Sequence, residues 1–206
     1  MILFPEIAFD EEKFLAKVDA MVKKHGYCSV VVSEGVKGSD GKFLSDQGLR
    51  DAFGHAQLGG VAPVVAGIIK QGLKLKYHWG VADYLQRAAR HIASKTDVAQ
   101  AYAVGKSAVE LALQGRNAVM PTIVRKSAKP YKWSIGVAEL KDVGNREKFM
   151  PRDFISEDGF SITAKCRAYL APLILGEDYP PFRDGLPRYV TLKNIAVARK
   201  LPEFKL

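Results

Sequence analysis

Cationic and hydrogen-bonding side chains are concentrated between residues 83 and 97, in the stretch DYLQRAARHIASKTD. Arg87 and Arg90 lie near Tyr84 and His91 in this stretch, and the planar guanidinium of an arginine can bind a phosphate through two parallel hydrogen bonds. If the stretch opens with a helix or a tight turn, Tyr84, Arg87 and His91 lie on one side of it. The pattern therefore indicates either an anion-binding site or an ordinary solvated basic turn.

A carboxylate lies at the end of an apolar segment, in VVVSEGV. Glu34 follows the predicted strand, and Gly35 after it lets the backbone approach a ligand closely. Ligands of open parallel sheets bind beyond the carboxyl ends of the strands, and a carboxylate can accept hydrogen bonds from two sugar hydroxyls. Glu34 is thus a candidate sugar-binding residue, or else a solvated residue before a turn.

Metal and nucleotide chemistry have weaker support in the residue pattern. His78 and His91 lack a third ligand at a metal-binding spacing, so we interpret them as polar neighbours of Tyr77 and Trp79 and expect no metal site. The Gly-Gly pair at residue 59 lacks the GxxxxGK[ST] pattern of a phosphate loop. It therefore gives only a weak nucleotide signal.

The composition narrows the class of partner. The chain carries 31 Lys and Arg against 22 Asp and Glu, a formal net charge of +9, which favours anionic partners. The basic residues are spread along the chain without a nucleic-acid-binding signature, so we expect no nucleic acid. The longest apolar run, VAPVVAGII, is too short to span a bilayer, and the N-terminus shows no basic leader. Cys28 and Cys166 lie in apolar segments and fit reduced thiols. These features together predict a cytoplasmic protein with no membrane partner.

The elements that must position these residues begin with a strand, a helix and a second strand. Residues 2–7 read as a strand, Asp10 as the N-cap of a helix that Gly26 ends, and YCSVVV as a strand buried on both faces. A βαβ unit of this length has a right-handed crossover. The predicted fold class is therefore α/β, with a Rossmann-like, parallel-rich sheet flanked by helices.

Further along, the spacing predicts a second helix from Val61 to Gln71 with Gly72 as its stop, and then a strand from Leu73 to Trp79. A third helix is expected to begin at Thr96 or Asp97 and to end before Gly115. The strand NAVMPTIVR follows it.

The last third of the chain has a different sequence pattern. KPYKWSIGVAEL reads as an added strand, and DGFSITAKCRAYLAPLIL as a helix with Ser161 as its N-cap. Residues 176–206 are rich in Pro, Gly, Asp and Arg and are expected to wrap the surface as an extended tail. Residues 37–60 are interpreted as an inserted loop, and long loops of this kind are often functional.

Several of these segments together resemble a known family, namely VVSEGVK, DAFGHAQLGGVA, DYLQRAARHIASKTD, NAVMPTIVR, MPRDFI and GEDYPPF. Over the whole chain, residues 1–206, they resemble the C-terminal half of a pyrophosphate-dependent 6-phosphofructokinase. ATP-using relatives carry a GHxQRGG pattern where this chain has Asp83-Tyr84 and Ala88-Ala89, which points to the pyrophosphate-using branch. The resemblance implies a phosphofructokinase-type lobe of a glycolytic transferase that acts on fructose 6-phosphate and pyrophosphate.

The resemblance also assigns residues. It implies that Glu34 binds hydroxyls of the fructose and that the run Tyr84, Leu85, Gln86 and Arg87 binds its 6-phosphate. The Gly-rich donor-phosphate loop of the family, its TxD motif with the general base and its MGR motif do not occur in this sequence. We therefore expect no catalytic residue in this chain and no turnover by the chain alone.

The resemblance further implies Mg²⁺, bound mainly by the other half, and a homo-oligomer, a dimer, for the complete enzyme. Two other classes of function remain open. The chain could be a non-catalytic sugar-phosphate-binding or assembly module, and the third alternative is a basic nucleic-acid binder.

Overall fold

The first part of the chain forms the predicted βαβ unit. The computed structural model describes residues 1–50, 56–58, 60–198, 200 and 202, without the side chains of 47–50, 56–58 and 86. Strand β1 (Ile2–Leu3) pairs in parallel with β2 (Val31–Val32), and helix α1 (Glu11–His25) connects them. The α/β fold class is therefore confirmed.

Helix α1 has the ends that the sequence predicts. The Asp10 side chain accepts a hydrogen bond from the Lys13 backbone N–H, and Gly26 takes a left-handed conformation with φ 81°. Acidic residues occupy its first turn and basic residues its last turn, which complements the helix dipole. These local signals place both ends without help from the rest of the fold.

The second strand is shorter and more exposed than predicted. Of the segment YCSVVV, only Val31–Val32 form a strand, and Val31 is 63% exposed. The prediction of a strand buried on both faces was wrong, because in this structure no further strand or helix layer of the described residues covers the outer side of β2. The remaining strand pairs of the described chain are antiparallel.

The core lies between α1 and helix α2 (Val61–Leu73). It consists of the buried residues Leu3, Phe14, Val18, Val36, Val61 and Val65. Gly72 does not end α2 as predicted, because the helix continues to Leu73 and Lys74 takes the left-handed position. A Cβ on Gly72 would lie 2.5 Å from Leu15 Cδ1, so this glycine allows the two helices to approach closely.

The strand predicted from Leu73 to Trp79 is absent from the structure. Residues 74–82 follow α2 without regular secondary structure. They lead into the short helix α3 (Leu85–Ala88). The prediction was wrong because a strand requires a hydrogen-bonding neighbour, and no neighbour is present among the described residues.

Helix α4 (Lys95–Leu113) begins earlier than predicted. Its N-cap is Ser94, whose hydroxyl accepts a hydrogen bond from the Asp97 N–H at 3.0 Å, so neither Thr96 nor Asp97 opens the helix. The Ser94 hydroxyl also donates to the Leu173 carbonyl at 2.6 Å. This contact with a distant residue explains why the N-cap is Ser94 and not Thr96 or Asp97.

A long hairpin and a short helix follow α4. Strands β5 (Val119–Ala128) and β6 (Tyr131–Glu139) pair in an antiparallel register, and both were predicted. Helix α5 (Ala164–Leu170) is capped by Thr163, whose hydroxyl accepts from the Cys166 N–H. Ser161 is therefore not the N-cap, because its backbone pairs with Ser156 instead. Three short 3₁₀ helices complete this region, at Leu140–Asp142, Arg152–Phe154 and Ala171–Ile174.

The segment between residues 150 and 160 closes the βαβ unit. The Ile2 N–H donates to the Phe160 carbonyl at 2.9 Å, and the Met150 N–H donates to Glu6 Oε1 at 2.8 Å. Lys17 Nζ on α1 lies 2.7 Å from Asp158 Oδ2. Residues far apart in sequence therefore complete the edge of the first strand.

The predicted loop and tail both contain short strands. Strands β3 (Asp46–Arg50) and β4 (Ala56–Leu58) pair within the 37–60 segment, of which residues 51–55 and 59 lie outside the described part. In the tail, β7 (Phe182–Arg183) pairs with β8 (Leu186–Pro187). Apolar side chains after this hairpin, at Val190, Leu192, Ile195 and Val197, are exposed. The described end of the tail is thus not packed on the rest of the described chain.

Candidate functional site

Glu34 lies in a turn directly after β2, as predicted. The Val36 N–H donates to the Ser33 carbonyl at 3.2 Å and closes this turn. A Cβ on Gly35 would lie 3.3 Å from the Pro5 ring, so glycine suits this close passage of the backbone. The Glu34 side chain is exposed. Within the described part of the chain it forms no hydrogen bond or ion pair, which leaves both carboxylate oxygens free to accept hydrogen bonds.

The residues from Tyr84 to Arg87 form one helical turn. The Tyr84 carbonyl accepts hydrogen bonds from the N–H groups of Arg87 and Ala88, both at 2.9 Å. Positions three apart on such a turn face the same side, so the Tyr84 phenol and the Arg87 guanidinium can reach one ligand. Asp83, just before the turn, has a positive φ of 47°. A backbone conformation of this kind is costly for a residue with a side chain.

The side chains of this turn are open to solvent. Tyr84 and Leu85 are each 70% exposed, and Arg87 is exposed. Among the described residues the Arg87 guanidinium has no ion pair, so all of its donors are available to an anion. The Gln86 side chain lies outside the described residues.

Arg90, three residues after Arg87, has a different role. Its Nη2 lies 2.7 Å from Asp178 Oδ1, and its Nη1 donates to the Asp178 backbone carbonyl. The Asp178 N–H in turn donates to the Ala93 carbonyl at 3.2 Å. Arg90 therefore fixes residues 175–178 beside the start of α4. No spacing rule connects residues 88 positions apart, so sequence reasoning missed this contact.

Glu34 and Arg87 are not joined directly in the structure. No hydrogen bond or ion pair of the described residues links the turn at Glu34 to the turn at Tyr84. Because Glu34 and Arg87 each follow a predicted strand of one sheet, the sequence predicts a shared cleft for them. The second of those strands, predicted from Leu73 to Trp79, does not form in this structure. A common site for the two residues stays a prediction.

Two cavities in the described part of the chain lie elsewhere. One of about 330 Å³ is bordered by β1, the start of α1 and residues 152–160. Another of about 500 Å³ lies beside residues 38–46. Neither includes Glu34 or residues 84–87 in its lining. The candidate residues therefore form an open surface in this chain, not an enclosed pocket.

The carboxyl with the largest pKa change belongs to a structural contact. Hydrogen bonds from the Lys17 side chain, the Ser156 hydroxyl and the Phe160 N–H lower the pKa of Asp158 to about 2. The hydrogen bond from the Lys13 N–H lowers the pKa of the capping residue Asp10 in the same way. Burial raises the pKa of the Cys28 thiol, and both cysteines are free.

The described residues contain neither a metal-binding cluster nor a membrane-spanning helix. Within them, no group of three or more His, Cys, Asp or Glu side chains is placed to hold a metal ion. None of the described helices combines the length and the apolar character needed to cross a membrane.

The chain is similar over its whole length to curated phosphotransferases. No protein-family model matches it. It is 66% identical, over 100% of this chain and 49% of the relative, to a pyrophosphate–fructose 6-phosphate 1-phosphotransferase from Halomonas elongata. It is 56% identical to the enzyme of that name from Xanthomonas campestris, over 100% of this chain and 50% of the relative. The chain thus spans about half the length of the curated relatives it matches.

Solved structures agree with this match. The pyrophosphate-dependent phosphofructokinase from Nitrosospira multiformis is 68% identical and superposes with a TM-score of 0.82, over 99% of this chain and 48% of that one. The corresponding protein from Marinobacter aquaeolei is 57% identical with a TM-score of 0.80, again over 99% and 48%. The similarity therefore covers fold and sequence together, and it extends over about half of each solved chain.

Proposed function

Because the chain belongs to the pyrophosphate-dependent phosphofructokinase family, we propose that it supplies the fructose 6-phosphate-binding half of a pyrophosphate:fructose 6-phosphate 1-phosphotransferase. The observation that carries this proposal is the 66% identity along the entire chain to a relative of that name. The Arg87 guanidinium and the Glu34 carboxylate, which have no side-chain partner among the described residues, are compatible with it. The reaction would transfer a phosphoryl group in line from pyrophosphate to the 1-hydroxyl of the sugar.

In this proposal each candidate residue holds one part of the acceptor. The Arg87 guanidinium binds the 6-phosphate through two hydrogen bonds, and the Tyr84 hydroxyl, on the same side of the turn, donates a further one. Leu85 and Gln86 complete the run that the family resemblance assigns to this phosphate. Glu34 accepts hydrogen bonds from sugar hydroxyls. These contacts fix the 1-hydroxyl in place, and alignment contributes much of the catalysis of phosphoryl transfer.

The family resemblance also implies Mg²⁺, which neutralises charge on the phosphates when it is bound. The described residues of this chain do not form a metal site of their own, because no group of three or more acidic, histidine or cysteine side chains among them is placed to hold a metal ion. We also propose, from the resemblance alone, a cytoplasmic location and a homodimer for the complete enzyme.

The test uses a full-length chimera, in which this chain replaces the matching half of the Nitrosospira multiformis enzyme. It is assayed with pyrophosphate, Mg²⁺ and fructose 6-phosphate by detection of fructose 1,6-bisphosphate. We expect turnover by the chimera and none by the 206-residue chain alone. A chimera that binds fructose 6-phosphate without turnover would favour a non-catalytic sugar-phosphate-binding or assembly module.

One substitution tests the acceptor role of Arg87. In the chimera, Arg87→Ala should raise the KM for fructose 6-phosphate by roughly 10- to 150-fold with a smaller change in kcat, since a charge-assisted contact is worth about 1.5–3 kcal/mol. Arg116→Ala serves as the control, because Arg116 is an exposed arginine beyond the end of α4. A raised KM for pyrophosphate with an unchanged KM for the sugar would refute the assignment.

A further inference from the structure

Residues 173–178 lie beside residues 93–96, at the start of α4, and are hydrogen-bonded to them. Three backbone bonds of 3.1–3.3 Å connect the two segments, from Lys95 to the Gly176 carbonyl, from Thr96 to the Leu175 carbonyl and from Asp178 to the Ala93 carbonyl. The Ser94 hydroxyl adds its bond to the Leu173 carbonyl, 79 positions away in the sequence. The two segments therefore form one connected unit.

Gly176 allows the two segments to approach each other this closely. Its backbone has a positive φ of 73°, a conformation that residues with a side chain rarely adopt. A Cβ on Gly176 would lie 2.9 Å from the Lys95 Cβ, which is closer than two side-chain carbons can pack. Glycine at this position therefore satisfies both the backbone conformation and the contact with α4.

Arg90 extends this unit toward residues 84–88, the candidate phosphate-binding turn. Its guanidinium contacts Asp178 twice, once at the side-chain carboxylate and once at the backbone carbonyl. Both side chains are only partly exposed, by 39% for Arg90 and 36% for Asp178. Two bonds from one planar group to one residue fix the orientation of that group as well as its position. Asp178 therefore determines where Arg90 lies.

Arg90 is coupled to Arg87 through consecutive hydrogen-bonded turns. Arg87 lies in the phosphate-binding turn, and the next turn is closed by the Ile92 N–H, which donates to the Ala89 carbonyl at 2.9 Å. Arg90 lies inside this second turn, so a displacement of Arg90 also displaces Arg87. On the other side of the phosphate-binding turn, residues 75–81 form no backbone hydrogen bond with a described residue. Within the described chain, the position of the turn is therefore set from the Arg90 side.

We propose that Arg90 and Asp178 are positioning residues for fructose 6-phosphate, because their contact holds the phosphate-binding turn where Arg87 meets the 6-phosphate. The proposal deepens the proposed function and rests on it. Arg90 does not bind the phosphate itself, since its guanidinium is engaged by Asp178 and the carboxylate offsets its charge. Correct alignment of the acceptor contributes much of the catalysis of phosphoryl transfer, and small displacements of a positioning group are costly.

The kinetics of the chimera with the Nitrosospira multiformis half test the positioning role. Arg90→Ala should raise the KM for fructose 6-phosphate by roughly 3- to 10-fold and leave the KM for pyrophosphate unchanged, because only a contact of the acceptor is displaced. Arg116→Ala is the matched control, since Arg116 also pairs with a distant carboxylate, that of Glu139 at 3.8 Å. An unchanged KM for the sugar in Arg90→Ala, or an equal increase in both variants, would overturn the proposal.

Asp178→Ala distinguishes positioning from direct binding by Arg90. If Arg90 acts through its contact with Asp178, this variant should also raise the KM for fructose 6-phosphate, but by less than Arg90→Ala, because the backbone carbonyl of residue 178 remains as an acceptor. The double variant should show no more than the effect of Arg90→Ala, since both substitutions remove the same contact. If Arg90 bound the phosphate directly, Asp178→Ala would free its guanidinium and lower the KM, and the positioning role would be wrong.

Hydrogen–deuterium exchange gives a second measurement that does not depend on activity. The N–H groups of Arg87 and Ala88 donate to the Tyr84 carbonyl. In the chimera with Arg90→Ala these amides should exchange at least about 3-fold faster than in the unmodified chimera, because the turn has lost its support. Arg116→Ala should leave their exchange unchanged.

The two measurements separate this proposal from the proposed function. An inactive chimera in which Arg90→Ala accelerates exchange of the Arg87 and Ala88 amides would reject the proposed function and retain the support of the turn by Arg90 and Asp178. Unchanged exchange of these amides in the Arg90→Ala variant would overturn that support, whether or not the chimera phosphorylates fructose 6-phosphate.

Discussion

Helices α1 and α4 are both capped by a side-chain oxygen, yet they lie in opposite environments. Helix α1 fully buries Phe14 and Val18. Helix α4 is four residues longer, with 19 residues against 15, but Gln100 is its only buried residue among those the structure describes. Its apolar side chains Tyr102, Val109 and Leu113 are exposed.

The difference shows that helix formation and helix burial have separate causes. Caps and end charges act within a few residues. Both helices have a capping side chain and an acidic first turn, and α1 also has a basic last turn. Burial depends on a second surface, which α2 provides for α1. Helix α4 contacts the β5–β6 hairpin and the 3₁₀ helix Ala171–Ile174, while its other side faces solvent. A regular amphipathic pattern therefore does not guarantee a core.

A matched pair of valines gives the largest expected contrast between the two helices. Val18→Ala in α1 should lower the free energy of unfolding by about 2–3 kcal/mol, since it removes buried methyl groups and leaves a cavity. Val109→Ala in α4 should change it by at most about 0.5 kcal/mol, because Val109 is 61% exposed. Urea denaturation of the chain, followed by circular dichroism, measures both. Equal losses would mean that the outer side of α4 is buried in solution.

The N-cap of α4 should give the second largest effect. Ser94→Ala should lower the free energy of unfolding by about 1–2 kcal/mol, since the Asp97 N–H and the Leu173 carbonyl both lose their partner. Ser107→Ala, inside the same helix, is the control and should be neutral or slightly stabilising. The same denaturation experiment applies. If the two variants were equally stable, the cap at Ser94 would not hold in solution.

The two neighbouring arginines should differ less strongly. Arg90→Ala should cost about 0.5–1 kcal/mol, because its ion pair with Asp178 is more than one third exposed. Exchange of the Asp178 amide with deuterium should become faster in this variant. Arg87→Ala should leave that amide unchanged. Faster exchange in both variants would contradict the separate roles of the two side chains.

The smallest expected effect is the loss of stability at acid pH from the contact between Lys17 on α1 and Asp158. The pKa of Asp158 is lowered from 3.8 to about 2 by the Lys17 side chain and two further donors. A carboxyl group whose pKa is lower in the folded than in the unfolded state stabilises the fold at pH values above its unfolded-state pKa. This contribution is lost as the pH falls from about 4 to about 2. It should stay below about 1 kcal/mol because the pair is partly solvated. Asp158→Asn should remove this part of the pH dependence in urea titrations, whereas Asp184→Asn, which alters an exposed carboxyl, should keep it.

Features that depend on a few consecutive residues could be predicted from the sequence. Asp10 and Gly26 define α1, and β-branched residues after the helix predict the parallel partner of β1. The exposed turn at Glu34 and the basic turn at Arg87 were also recognised. In each case the determining groups lie within one or two turns of the chain.

Features that depend on distant partners could not be predicted in this way. Gly72 looks like a helix stop, but its role is close contact with Leu15 on another helix. Ser94 caps α4 with help from Leu173, and Arg90 is held by Asp178. The alternating residues 73–81 have the local pattern of a strand without a neighbour to pair with among the described residues. Local patterns therefore identified these segments but not their partners.

The hydrogen bond from Ile2 to Phe160 also determines when the βαβ unit can be completed during synthesis. A ribosome adds about 5–20 residues per second, so the two partners emerge on the order of ten seconds apart. Until residues 150–160 have been translated, the nascent chain has the β1–β2 pair and the α1–α2 contact but lacks the partner of the Ile2 N–H. Completion of this unit must therefore await late translation, and the edge of the first strand stays exposed until then.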